Sequence, residues 1–143
     1  MRTERAIEID ASAERVWAVY SDVRRWPEWT DSVTKVEPLD GDELAVGRRF
    51  RITQPKLPVM VWEVTALEPG ASWRWAQRSP GARTEAWHAV DGSASHASAQ
   101  LGIEQRGPVG GLVARVMAGL TRRYLDMEAE GLKARSERSG DPA

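Results

Sequence analysis

The last third of the chain most restricts what it can fold into. From Pro108 to about Arg135, Val109, Val113, Val116, Met117, Leu120, Tyr124 and Met127 recur at helical spacing and share one face. Arg115, Arg122, Asp126, Ala129 and Lys133 fall on the opposite side. Such a helix, about 28 residues long, would extend about 40 Å, against about 11–12 residues for an ordinary globular helix. The chain holds no second helix of matching length, so the apolar stripe must be covered by something else. Everything upstream reads as short strands, and a sheet is the expected partner.

The strands follow from alternation and turn chemistry. Residues 3–10 alternate and form a first strand. Ser12 then caps a short helix with Glu14 in its first turn and Val16, Tyr20 and Val23 on one face. Asp22 is expected to cap a second short turn that Pro27 ends, and Trp26-Pro27-Glu28-Trp29 places one indole toward a cavity and the other toward the core. Further strands are expected at 32–38, 48–54, 59–67, 72–78, 83–90 and 95–105. Turn signals at Asp40-Gly41-Asp42, Gln54 to Pro58, Glu68-Pro69-Gly70, Ser79-Pro80-Gly81 and Asp91-Gly92 separate them. Connections this short cannot carry parallel crossovers, so the sheet is antiparallel. The fold class is α+β: a seven-stranded antiparallel sheet with one apolar face against the long helix, whose first helical position is Pro108. One domain over 1–143 is expected, with 136–143 a frayed polar tail.

Composition removes several functions. With 20 basic and 21 acidic residues the net charge is −1, which gives no electrostatic footprint for nucleic acid. The absence of cysteine excludes disulfides, thiolate nucleophiles and cysteine metal sites together. His88 and His96 have opposite strand parity, so no metal site is expected. Gly107, Gly110 and Gly111 lack the Lys-Ser/Thr of a phosphate loop, and no cofactor is implied. No apolar run approaches about 20 residues, and Met1-Arg2-Thr3-Glu4-Arg5 leads into no signal-peptide core, so a cytoplasmic chain without membrane insertion is expected. Monomer and homodimer both remain open. Seven Trp against two Tyr and one Phe is the unusual feature, since every buried indole N–H wants an acceptor.

Three stretches carry a family resemblance: Val16-Trp17 leading to Asp22-Val23 and Trp26-Pro27-Glu28-Trp29; Gln105-Arg106-Gly107-Pro108; and Glu128-Ala129-Glu130-Gly131-Leu132-Lys133. With the strand order, the chain resembles the START-like helix-grip superfamily over about residues 3–135, and more narrowly its bacterial polyketide cyclase/dehydrase and lipid-transport family. The resemblance implies a cavity between the concave sheet face and the C-terminal helix. It implies no catalytic residue.

Strand parity fills in the expected lining: Trp29, Phe50, Ile52, Gln54, Trp62, Val64, Trp73, Trp75, Gln77, Ala86, His88, Leu101 and Ile103 from the sheet side, with Val113, Met117, Leu120 and Tyr124 from the helix. The small inward residues Ala86, Ala97 and Ala99 leave room. The first functional expectation is binding or transport of a small hydrophobic, lipid-, polyketide- or aromatic-like molecule, oriented by His88, Tyr124, Gln54 and Gln77. The alternative is a cyclase or dehydratase with His88 as acid/base and Tyr124 polarising a carbonyl, although no inward acid backs the histidine. A third reading, a protein-interaction module, rests on Trp87 on the outer face. The outward arginines Arg49, Arg51, Arg74, Arg78 and Arg83 are expected to pair across strands with Glu63, Glu85 and Glu104.

Overall fold

The computed structural model describes residues 2–138. In chain order it contains β1 (Arg2–Ile9), α1 (Ala13–Ser21), a 3₁₀ helix (Val23–Glu28), β2 (Lys35–Pro38), β3 (Arg49–Thr53), β4 (Met60–Glu68), β5 (Ser72–Ser79), β6 (Ala82–Gly92), β7 (Ala97–Arg106) and α2 (Gly110–Glu137). The seven strands form one antiparallel sheet in the order β1-β7-β6-β5-β4-β3-β2. Its apolar face buries Phe50, Val64, Trp73, Trp75, Ala97, Ala99 and Leu101.

Local chemistry explains most boundaries. Ser12 caps α1 by accepting from the Arg15 amide at 3.1 Å, and Val16, Tyr20 and Val23 are buried. Asp22 makes no side-chain cap, and Pro27 lies inside the 3₁₀ helix rather than ending it. The amides of Trp29 and Thr30 both close onto the Trp26 carbonyl. The Asp91-Gly92 signal marks the end of a strand and not the turn: both residues pair with Ser98 and Ala97, and the chain reverses at Ser93–His96. In β4 a bulge between Val64 and Ala66 reverses the alternation, so Ala66 is exposed and Leu67 packs on the core. Pro108 precedes the first helical residue by two positions, because Gly107 at φ +97° still belongs to the turn. The expected tail at 136–143 begins too early: Ser136 is 4% exposed within α2, and 139–143 lie outside the described residues.

The packed face of α2 differs from the expected stripe. Ala114, Leu125, Ala129, Leu132 and Ser136 are buried, whereas Leu112 and Val116 are 65% and 74% exposed. The buried set is turned about a third of a helical turn from the large apolar residues. The buried set mixes small residues with Leu125 and Leu132, on the side of α2 that packs on β1 and β7. The C-terminal half is then pinned on every side. Arg15 donates to the carbonyls of Arg135 and Ser136, Arg135 pairs with Glu28, Lys133 donates to the Glu8 carbonyl at 3.0 Å, and Arg5 pairs with Asp126. Both carbonyls lie in the last turn of α2, where the intrahelical ladder runs out; that of Arg135 also accepts from the Arg138 amide.

On the outer face Arg51 pairs with Glu37 across strands, but Arg83 pairs with Glu85 along its own strand and Arg49 with Asp40. Trp87 is half-buried: it lies across Gly102, with the guanidinium groups of Arg2 and Arg74 at 4.4 and 5.5 Å from its ring. The feature that motivated an interaction module is thus already covered by its own chain.

Two helical glycines separate the packed half of α2 from the free half. A Cβ at Gly131 would stand 2.0 Å from the Trp29 carbonyl oxygen, while nothing lies within 4 Å of one at Gly119. Gly119→Ala is expected to gain about 0.5–1 kcal/mol from helix propensity. Gly131→Ala is expected to lose about 1–3 kcal/mol because the backbone of Trp29 must shift. Urea unfolding of the pair measures both; equal gains would show that Trp29 does not seat on Gly131.

Candidate functional site

Between the sheet and α2 lies a cavity of about 640 Å³. Its sheet wall comes from Ile52, Trp62, Trp75, Gln77, Thr84, Ala86, His88, Leu101, Ile103 and Gln105. Val113, Met117, Leu120, Thr121, Tyr124, Leu125 and Glu128 of α2 form the other wall. Trp26 closes one end, and the loop Gln54 to Pro58 borders the other side.

The expected lining residues divide accordingly. Ile52, Gln54, Trp62, Trp75, Gln77, Ala86, His88, Leu101, Val113, Met117, Leu120 and Tyr124 surround this space. Trp29, Phe50, Val64 and Trp73 do not. Phe50, Val64 and Trp73 are at most 1% exposed in the core, with Phe50 meeting Trp75 at 6.1 Å. Trp73 stacks on His88 at 4.1 Å and meets Tyr20 and Trp17 edge-on at 5.0 and 5.8 Å. Of the two indoles around Pro27, Trp26 reaches the cavity; Trp29 is drawn to the packed half of α2 by Gly131.

The polar groups carry the chemistry. Tyr124 is not free to polarise a ligand carbonyl, because its hydroxyl donates to the Pro55 carbonyl. Gln54 donates to the Ser32 carbonyl at 3.1 Å, and the Trp26 indole to the Tyr20 carbonyl at 2.9 Å. His88 is buried, with Nδ1 3.4 Å from the Trp73 carbonyl; burial pushes its pKa down to about 3, so it is neutral. An imidazole so disfavoured as a cation is a weak acid/base. The Oε1 atom of Gln77, 9% exposed as a residue, is buried without a hydrogen-bond partner.

The residue that parity reading missed is Glu128. Tyr20 of α1 donates its hydroxyl proton to Glu128 Oε2, joining the two helices. Burial pushes the Glu128 pKa up to about 7, against the Tyr20 hydrogen bond, which lowers it. The Tyr20 hydroxyl is itself held well above its ordinary value by burial and by the Glu128 charge. A signal was present: Glu128 stands four residues after Tyr124, on the same helical face as the apolar lining.

With this geometry in place, the comparisons are specific about family. The sequence profile of the family described as polyketide cyclase / dehydrase and lipid transport matches residues 1–137, and the chain belongs to that family. No curated protein matches the chain. Among solved structures it is similar to the Zhui aromatase/cyclase from Streptomyces sp. R1128, with a TM-score of 0.76 and 18% identity over 100% of this chain and 99% of that one. It is also similar to a START superfamily protein from Mycobacterium smegmatis (TM-score 0.71, 20% identity, 95% of each chain). A hypothetical protein from Helicobacter pylori gives a TM-score of 0.78 at 15% identity, over 95% of this chain and 88% of that one. At these identities the structures establish the fold, which is the helix-grip fold. Among the described residues no helix is long and apolar enough to cross a membrane.

Glu128 and His88 have opposite effects on stability. Glu128 holds a proton up to about pH 7 when folded but only to about 4.5 when unfolded, so its contribution falls as pH rises between them. His88 stays unprotonated down to about 3 when folded but takes a proton below about 6.5 when unfolded, so its contribution grows as pH rises through that window. Between about 4.5 and 6.5 the slopes oppose. Glu128→Gln leaves only the histidine slope, and its unfolding free energy is expected to climb by about 1–3 kcal/mol across that range, more than in wild type. Urea titrations at both pH values check this; identical pH profiles would show that Glu128 titrates normally.

Proposed function

We propose that the protein binds a small, mostly apolar molecule, lipid-, polyketide- or aromatic-like, in the cavity between sheet and α2, as a carrier or sensor. The cavity itself carries this reading. Its volume, about 640 Å³, lies in the range of about 300–1,000 Å³ typical of small-molecule sites. Its walls are mainly indole and aliphatic, with isolated polar groups able to fix orientation. Each 100 Å² of apolar ligand surface withdrawn from water contributes about 2.5 kcal/mol, so an aromatic ligand gains affinity without any charged contact. The family description, with its lipid-transport component, supports the same reading.

A second reading, a cyclase or dehydratase, is supported by the aromatase/cyclase among the similar structures and by Glu128. With its pKa near 7, Glu128 is the better acid/base on this wall than His88. In that case Glu128→Gln, and not His88→Gln, abolishes turnover of a poly-β-carbonyl substrate.

The binding reading is tested with N-phenyl-1-naphthylamine, a neutral apolar fluorophore. Saturable binding at one site per chain is expected. Met117→Trp, which places an indole in the cavity from a partly exposed helical position, is expected to weaken it at least tenfold while leaving the unfolding transition in place. Absence of saturable binding, or unchanged affinity in Met117→Trp, would overturn the reading.

A further inference from the structure

Glu128 has an unanswered need. Glu128 is half-buried on the cavity wall, and a carboxylate withdrawn from water is ordinarily paired with a cation or saturated with donors. Here Tyr20 supplies one hydrogen bond, to Oε2, and among the described residues nothing donates to Oε1 and no arginine or lysine is paired with the group. The titratable groups around it are Tyr20 from α1, His88 from β6, Tyr124 one turn back on α2, and Lys56 in the loop before β4. His88 is neutral, Tyr124 has spent its proton on Pro55, and Lys56 is an exposed residue at the rim.

The remaining polar lining includes the hydroxyls of Ser79, Thr84 and Thr121, which accept or donate, and the amide of Gln77. Gln77 Oε1 is a buried acceptor without a partner. The donors of Trp26, Gln54 and Tyr124 are already used on backbone carbonyls. Trp26 stacks at 5.5 Å on Tyr20, the donor to Glu128, and meets Trp75 at 5.5 Å, and both indoles line the same cavity as the carboxyl group. Aromatic faces attract cations, and more so where water is excluded. An apolar enclosure with a carboxylate, a spare amide oxygen and indoles is complementary to one kind of ligand head.

Resting on the binding reading above, we infer that the ligand is an apolar amine, whose protonated nitrogen is held by Glu128 at the inner end of the cavity. Its hydrocarbon body then lies along Trp62, Trp75, Met117 and Leu120. A free carboxylic acid is disfavoured there, since its anion would face Glu128 with no cation between them.

Three probes with one ring system separate the possibilities: 1-naphthylmethylamine, 1-naphthalenemethanol and 1-naphthoic acid, titrated calorimetrically at pH 8. The amine is expected to bind at least tenfold more tightly than the alcohol, and the acid most weakly. Lowering the pH to 6 is expected to weaken the amine about tenfold as Glu128 takes up a proton, with little effect on the alcohol. Glu128→Gln is expected to bring the amine down to the level of the alcohol. Equal binding of amine and alcohol in wild type overturns the inference while leaving the cavity reading intact, and needs no variant. An amine preference that survives Glu128→Gln overturns the assignment to Glu128. If none of the three binds, the cavity reading falls and takes the inference with it.

Discussion

A straight helix of 28 residues cannot stay in contact with a seven-stranded twisted sheet along its whole length. The chain resolves this by committing one half. The C-terminal half of α2, where Ala129, Leu132 and Ser136 are buried, is held by Arg15, Arg135, Lys133 and Arg5. The N-terminal half borders the cavity, tied by Tyr124 to Pro55 and at its start by the Val109 amide to the Gly81 carbonyl. The cavity is the space this division leaves, and its size follows from where the packed half ends.

The boundary between the two halves is aromatic. Tyr20, Trp26, Trp73, Trp75 and His88 interlock with centroid separations of 4.1–6.1 Å, closing the inner end of the cavity and covering the core behind it. Tyr20 has two roles there. Its ring fills the core and its hydroxyl reaches Glu128, so the only carboxyl group that the described residues bring to the cavity wall is fixed by α1 rather than by its own helix. Burial of that group costs stability once it ionises. A group retained at such a cost, in a place where a glutamine could keep the Tyr20 bond, fits a role toward a ligand better than a role in folding.

Much of this was legible in the sequence, because alternation and turn residues determine strand parity. Ile52, Trp62, Trp75, Gln77, Ala86, His88 and Leu101 all reach the cavity from the parity of their strands. What failed depends on distance across the fold. Phe50 and Trp73 share that parity but are sealed in the core, Trp73 against Trp17 and Tyr20 of α1, and no local pattern says where α1 docks. Trp26 and Trp29 exchange expected roles because Gly131, a hundred residues away, admits only one of them. On α2 the expected stripe divides: Val113, Met117, Leu120 and Tyr124 face the cavity, whereas Val116 is exposed and Ala129, expected on the opposite side, is wholly buried. The role of Glu128 depends on a partner, Tyr20, that sequence spacing cannot bring to it.

The central claim is that apolar ligands enter this one space between sheet and helix. The seven indole N–H signals in a nitrogen-proton correlation spectrum test it most directly, assigned by single Trp→Phe variants. On titration with 1-naphthylmethylamine, the signals of Trp26, Trp62 and Trp75 are expected to move together and saturate, while that of Trp87, on the outer face, stays in place. Shifts led by Trp87, or spread evenly over all seven, would place the ligand elsewhere and contradict the account.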